Sequence, residues 1–279
     1  MIGSLQNRLI DWLTYERTPT DAPLNNFERT CYEVRPADVI LVEGVSRVSE
    51  IIKWTTQSPW SHAALYIGRL HDINDSKLRE RVRAFYHGDP NEQLLIENEI
   101  GRGTVITPLN TYAKLHLRIC RPKNIIQSDV DAIVGFMIGN LGRGYSMRHI
   151  FDLFRFLLPW KIIPRRWLSS LFLEESKINE EICSSLIARA FESIRFPILP
   201  IVMSDNKKGY IVHRRNTKLF TPRDFDYSPY FSIIKYPFFD ISEQATYRNL
   251  PWVENDDDDN PPKASDKEED RHESAPESS

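Results

Sequence analysis

The chain has 279 residues, with 36 Lys and Arg against 39 Asp and Glu and a formal net charge of −3. Hydrophobic residues make up 41% and aromatics 11%, which supports a real core and excludes a wholly unstructured chain. The charge is uneven: residues 254–279 hold 11 acidic and 3 basic side chains, a net of −8, so residues 1–253 carry +5.

The opening stretch is MIGSLQNRLIDWLTYERTPTDAP. Ile2, Leu5, Leu9, Trp12 and Leu13 fall on one face at helical spacing and predict a short amphipathic helix. Gln6, Asn7, Arg8 and Asp11 interrupt the apolar run and no small-residue cleavage site follows, so a secretory signal is not expected. Residues 1–35 are read as this helix and a polar, turn-rich lead-in. DVILVEG (38–44) predicts a strand. VSRVSEIIKWTTQ has Val45, Val48, Ile51 and Ile52 at helical spacing, with Ser46 near its start and Ser58-Pro59 beyond its end. QSPWSHAALYIG (57–68) then alternates, with His62, Ala64 and Tyr66 on one face and Ala63, Leu65 and Ile67 on the other. It predicts a strand with a histidine at its start.

Residues 69–92 are charged without a firm pattern and are read as a surface insertion with one or two helical turns. EQLLIENEI and GRGTVITPL predict a hairpin, and LHLRICRP a further strand. SDVDAIVGFMIGNLG predicts a serine-capped helix, SMRHIFDLFRFLLP a second and INEEICSSLIARAFESI a third. GYIVHR and YFSIIKYPFF predict strands, with TPRDFDYSP as loop between them. Strand, helix, neighbouring strands and then helices is an α+β arrangement, an antiparallel sheet packed against helices. Residues 238–279 are read as an acidic, mostly disordered tail; from Glu254 onward there is no large apolar residue to offset the entropy of ordering.

Cys31, Cys120 and Cys183 are an odd, sparse set without CxxC spacing, which speaks against a disulfide framework and a structural zinc site and fits a reducing compartment. No run of about 18 apolar residues exists, so no membrane span is expected. The nearest approach is IFDLFRFLLPWKIIPRRWLSSLFL (150–173). Its Phe, Leu and Trp residues interleave with Arg155, Lys161, Arg165 and Arg166, as in an interfacial segment on anionic lipid or in a helix pair covering the sheet. No nucleic-acid motif is present, and no nucleic-acid partner is expected. The expected location is cytoplasmic, with peripheral contact on the inner face of the membrane through residues 150–173 as the lipid-facing variant.

Cys183 stands within about one turn of its helix start, where free backbone N–H groups favour a thiolate and can donate to an oxyanion. It also stands three and four residues before Leu186 and Ile187, the spacing of a small buried hydrophobe. A nucleophilic cysteine needs a base. Of the seven histidines, His62 is the one on a predicted central strand between small residues, as a core residue or as a base. A base needs an orienting acceptor, and in LLIENEI the candidates are Glu97, which can reach the His62 ring if the two strands pair, and, one strand repeat away, Glu99, nearer the turn and expected to be exposed.

The series DVILV, SPWSHAALYIG, LIEN, GRGYSMRHIFDL and ICSSLIARAF resembles the YiiX/YaeF-like enzymes, circularly permuted papain-fold proteins related to NlpC-type amidases and to lecithin:retinol acyltransferase. The resemblance covers roughly residues 36–236, and the catalytic domain is read as 36–237. In that group the histidine precedes a polar third residue and then the cysteine, the order His62, Glu97, Cys183. The resemblance implies a permuted papain-like (NlpC-type) fold, with Cys183 as nucleophile, His62 as base and then acid, and Glu97 as orienting residue. It places Tyr145 at the substrate site, where Ser61 and Ser184, the neighbours of the histidine and the cysteine, are also expected. Ala37-Asp38 stands where the family has Gly-Asp, and Ser146 where an aspartate is common, which leaves subsites unassigned. The implied activity is a thiol-dependent hydrolase or acyltransferase acting on an amide, ester or thioester of a peptide or lipid, with no metal or organic cofactor. The competing class is a non-catalytic membrane-surface or protein-binding module on the same fold.

Overall fold

The computed structural model describes residues 12, 14–15, 24–144, 183–205, 209–239 and 246–250. The N-terminal helix beyond those few positions, Tyr145, the segment 150–173 and the tail from 251 lie outside the described residues.

The architecture is α+β. Strands β1 (Val39–Glu43), β2 (His62–Gly68), β3 (Leu94–Glu99), β4 (Gly103–Pro108), β5 (His116–Pro122) and β8 (Phe231–Ile234) form one sheet in the order β4-β3-β2-β1-β5-β8. Every described pairing in it is antiparallel. Among the described residues, strands β6 (Ile201–Asp205) and β7 (Gly209–His213) pair only with each other.

The alternation read from the sequence is what makes this sheet two-sided. Val39, Leu41, Ala63, Leu65, Ile67, Leu94 and Ile96 share one apolar cluster with Met137 and Ile138 of α4 (Gln127–Gly139) and with Leu186, Ile187 and Phe191 of α5 (Cys183–Ser193). Ile40, Val42, Ala64, Tyr66, Leu95, Leu117 and Ile119 form the cluster on the other face, where Phe27 and Cys31 of α1 (Phe27–Glu33) pack. Helix α5 lies against β2 and β3. Its C-terminal end is held by an aromatic group in which Phe191 stands 5.3 Å from both Phe196 and Phe231. Removing a fully buried ring of this kind costs about 3–5 kcal/mol.

Helix α2 (Arg47–Thr56) starts on Ser46, whose Oγ accepts from Ser49 N, and ends with Gln57 in the left-handed region at φ 51°. A Cβ on Gly44, between β1 and this cap, would strike the hydroxyls of Ser49 and Ser61. Glycine is therefore what lets the start of α2 lie beside the start of β2.

Five local readings change. The one or two helical turns expected in 69–92 are a ten-residue helix, α3 (Ser76–Phe85), capped by Asp75 and docked through buried Val82; one apolar contact row among many charges is too sparse a pattern to give its length. The lead-in contains α1, capped by Asn26. Helix α4 begins at Gln127, and Asp129 Oδ2 accepts from Ile126 N, so Ser128 is not its cap. TPRDFDYSP is not all loop: α6 (Pro222–Tyr227) starts with Pro222 at its first position and Asp224 accepting from Thr221 N at 2.7 Å. Strand β6 was not expected either, since IVMSD follows a proline-rich turn without alternation.

Candidate active site

His62 is the first residue of β2 and Glu97 the fourth of β3. The register pairs Leu65 with Ile96 and Tyr66 with Leu95. Glu97 therefore stands opposite Ala64 and diagonal to His62, within reach of a long side chain. His62 Nε2 and Glu97 Oε2 are joined by a hydrogen bond, which becomes an ion pair when the imidazole is protonated. The imidazole is 22% exposed and the carboxylate fully buried. Held at Nε2, the ring presents Nδ1 as its second proton site. Glu99 instead pairs with Arg102 Nη1 at 2.6 Å near the hairpin turn, so of the two glutamates Glu97 orients the histidine.

Tyr112, in the short 3-10 turn after β4, donates its hydroxyl to the same Oε2 of Glu97 at 2.6 Å. Its ring lies 6.4 Å from that of His62. Thr107 of β4 faces the carboxylate as well, while Glu97 Oε1 has no well-formed hydrogen bond. Burial works to raise the Glu97 carboxyl, and the positive His62 ring with the Thr107 and Tyr112 hydroxyls outweighs it, so the group is held below its ordinary value. A buried carboxylate kept ionised beside a partly exposed histidine fixes the ring and stabilises its protonated form. Sequence reasoning missed Tyr112 and Thr107. Thr107 was legible only through the register, which sets it opposite Leu95; Tyr112 lies in a turn with no periodic signal.

Cys183 opens the described part of α5. Its side chain lies outside the described residues, as does Tyr145. His62 and Glu97 share the sheet face of Val42 and Tyr66, whereas α5 packs on the face of Ala63 and Leu65. His62 can be met from the other layer only past the end of β2, where it stands. Ser184 is fully buried and its Oγ donates to Phe220 O at 2.5 Å, which fastens the start of α5 to the chain before α6. Ser61 is buried; its Oγ accepts from Gly44 N at 2.9 Å and bonds Val42 O. Both hydroxyls, expected at the substrate site, bond backbone: Ser61 just before His62 and Ser184 just after Cys183.

Next to His62, Trp60 is fully buried and donates Nε1–H to Asp226 at 3.2 Å. Arg118 stacks 4.5 Å over its ring and bonds the same carboxylate at 2.7 Å. This ties the entry of β2 to α6 and β5. Among the described residues no cluster of three or more His, Cys, Asp or Glu could hold a metal ion, and no helix is long and apolar enough to cross a membrane.

No protein-family model and no curated protein matches the sequence. Among solved structures, the chain is similar to the metalloprotein YiiX from Escherichia coli O157:H7, with a TM-score of 0.43 and 12% identity over 73% of this chain and 98% of that one.

Proposed function

We propose that the protein is a cysteine-dependent hydrolase or acyltransferase that works through an acyl-thioenzyme intermediate. The observation that carries this reading is the buried Glu97 carboxylate gripping Nε2 of His62 at the start of β2. A second support is that Cys183 opens the described part of a helix packed against that strand and its neighbour.

In this reading His62 Nδ1 takes the proton of the Cys183 thiol, and Glu97 stabilises the resulting imidazolium. The thiolate attacks a carbonyl carbon, and backbone N–H groups at the helix start donate to the oxyanion. His62 returns its proton to the leaving amine, alcohol or thiol as the carbon–heteroatom bond breaks, and a thioester remains. Water or an acceptor nucleophile then gives its proton to His62, attacks the thioester and releases Cys183. No step requires a metal or organic cofactor. The substrate is an amide- or acyl-bearing peptide or lipid.

The test is the alkylation rate of Cys183 against pH. A rate that stays high below pH 7 and collapses in His62→Ala is expected. A profile of an ordinary thiol, indifferent to His62, sinks the proposal and leaves a non-catalytic binding module. Mass measurement of an acyl adduct trapped on Cys183 from cell extract identifies the carbonyl compound.

A further inference from the structure

The β6–β7 ribbon has apolar side chains on both faces and nothing described covers either one. Cross-strand pairing sets Val202 against Val212 on one face, and Met203 against Ile211 on the other. Val202, Met203, Val212 and Tyr210 are each more than half exposed, and Ile201 nearly so. An isolated two-stranded ribbon gains little from its own pairing, so exposed apolar groups on both sides have a cost that an occupant would remove.

At the base of the ribbon lies a cavity of about 180 Å³ with an apolar wall that includes Phe196 and Leu199. Arg195, His213, Arg214 and Arg215 line it, with Glu192 as the acidic member. Arg215 is engaged by Asp224 at 3.1 Å and stacks on Phe220. Arg195, His213 and Arg214 are exposed.

We propose that this ribbon and its cationic base form a docking surface for an anionic phospholipid membrane. Apolar side chains beside an arginine cluster match the boundary between acyl chains and phosphates. A folded protein partner would cover one face of the ribbon and leave the other bare, whereas a fluid lipid boundary surrounds both. Among the described residues the outer edges of β6 and β7 carry backbone groups without strand partners, which need water or headgroups. The ribbon therefore lies shallowly along the interface, with its apolar residues among the acyl chains and its arginine-lined base on phosphates. Helix α5 has 11 residues, about 16 Å of length, and the ribbon follows its C-terminal end. Docking there leaves the Cys183 end free of the contact.

The experiment is co-sedimentation of the full chain with phosphatidylcholine vesicles, with and without phosphatidylserine. Binding is expected to the serine-containing vesicles and to weaken with salt. Each of Arg195→Ala and Arg214→Ala should weaken it about fivefold, the contribution of one cation near an anionic leaflet. Val202→Asp with Val212→Asp should abolish it; all four positions are exposed, so the fold should survive, as circular dichroism will check. Failure of the wild type to bind, equal binding to neutral vesicles, or full binding by these variants overturns the proposal. So does a dimer in sedimentation equilibrium that Val202→Asp with Val212→Asp dissolves, since that assigns the ribbon to a second copy. None of these outcomes depends on Cys183, so the catalytic reading stands or falls separately.

Discussion

Tyr112 donates its hydroxyl to Glu97 at 2.6 Å, on the same carboxylate oxygen that holds His62. One oxygen of a fully buried carboxylate thus receives two donors from different parts of the chain. Replacing Tyr112 with Phe keeps the ring and removes the donor. Stability should fall by about 1.5–3 kcal/mol, the worth of a hydrogen bond to a charged group, measured by urea unfolding. Glu97 should also become easier to protonate. The acid limb of Cys183 alkylation or turnover should then move to higher pH, a shift that a purely structural tyrosine would not produce.

Glu97 also links stability to pH. Its carboxyl is held below its ordinary value by the His62 charge and neighbouring hydroxyls, against the opposing effect of burial. Between the lowered native value and the ordinary value of about 4.3, the unfolded chain binds more protons than the native one, so stability rises with pH there. The contribution is fully present above the ordinary value and is lost as pH falls through the native one. Glu97→Gln should flatten that acid limb in denaturation curves taken across the window. An unchanged limb would show that the pair does not carry it.

Arg121 and Asp38 make the opposite case. Asp38 is buried, and Arg121 grips it through Nε at 3.0 Å and Nη2 at 2.8 Å. Burial nevertheless pushes the Asp38 carboxyl above its ordinary value, beyond what Arg121 and the Arg35 N–H pull back. A raised acid contributes stability below its ordinary value and loses it as pH rises through the native one. Arg121→Ala leaves the carboxylate unpaired and should cost about 3–5 kcal/mol at neutral pH. The loss should shrink as acid protonates Asp38. Unfolding of variant and wild type at two pH values checks this, and a loss that is constant with pH argues against it.

Thiol reactivity separates the three cysteines. Burial pushes the Cys120 thiol well above its ordinary value, with Asp226 adding to the effect. Cys31 is raised by burial against the pull of Arg69. Neither should alkylate quickly in the native protein at neutral pH. Brief iodoacetamide treatment followed by peptide mass spectrometry should find the label on Cys183 first. Label appearing first on Cys31 would remove the argument for an activated Cys183.

Much of the sheet was legible because its signal is local. Alternation within HAALYIG and LLIENE assigns each residue to a face without any knowledge of the partner strand, and the two clusters follow those faces. The same alternation puts Glu97 and Glu99 on one face and cannot choose between them. The choice came from register and from the hairpin turn, which sets Glu97 diagonal to His62 and gives Glu99 to Arg102. Helix α6 and the full length of α3 escaped because their caps, Asp224 and Asp75, are short polar signals in charged stretches.

By itself the sequence determined the α+β class, the strand that carries His62, the helix that carries Cys183 and the order of the candidate residues. Periodicity and capping act over a few residues, so they are written in neighbouring side chains. Only the tertiary structure decided that Glu97 is the buried partner, that Tyr112 shares its oxygen, that Ser61 and Ser184 brace backbone, and that the β6–β7 ribbon stands outside the main sheet. Those depend on pairing between residues far apart in the chain, where burial, register and charge are settled together and no short stretch holds the answer.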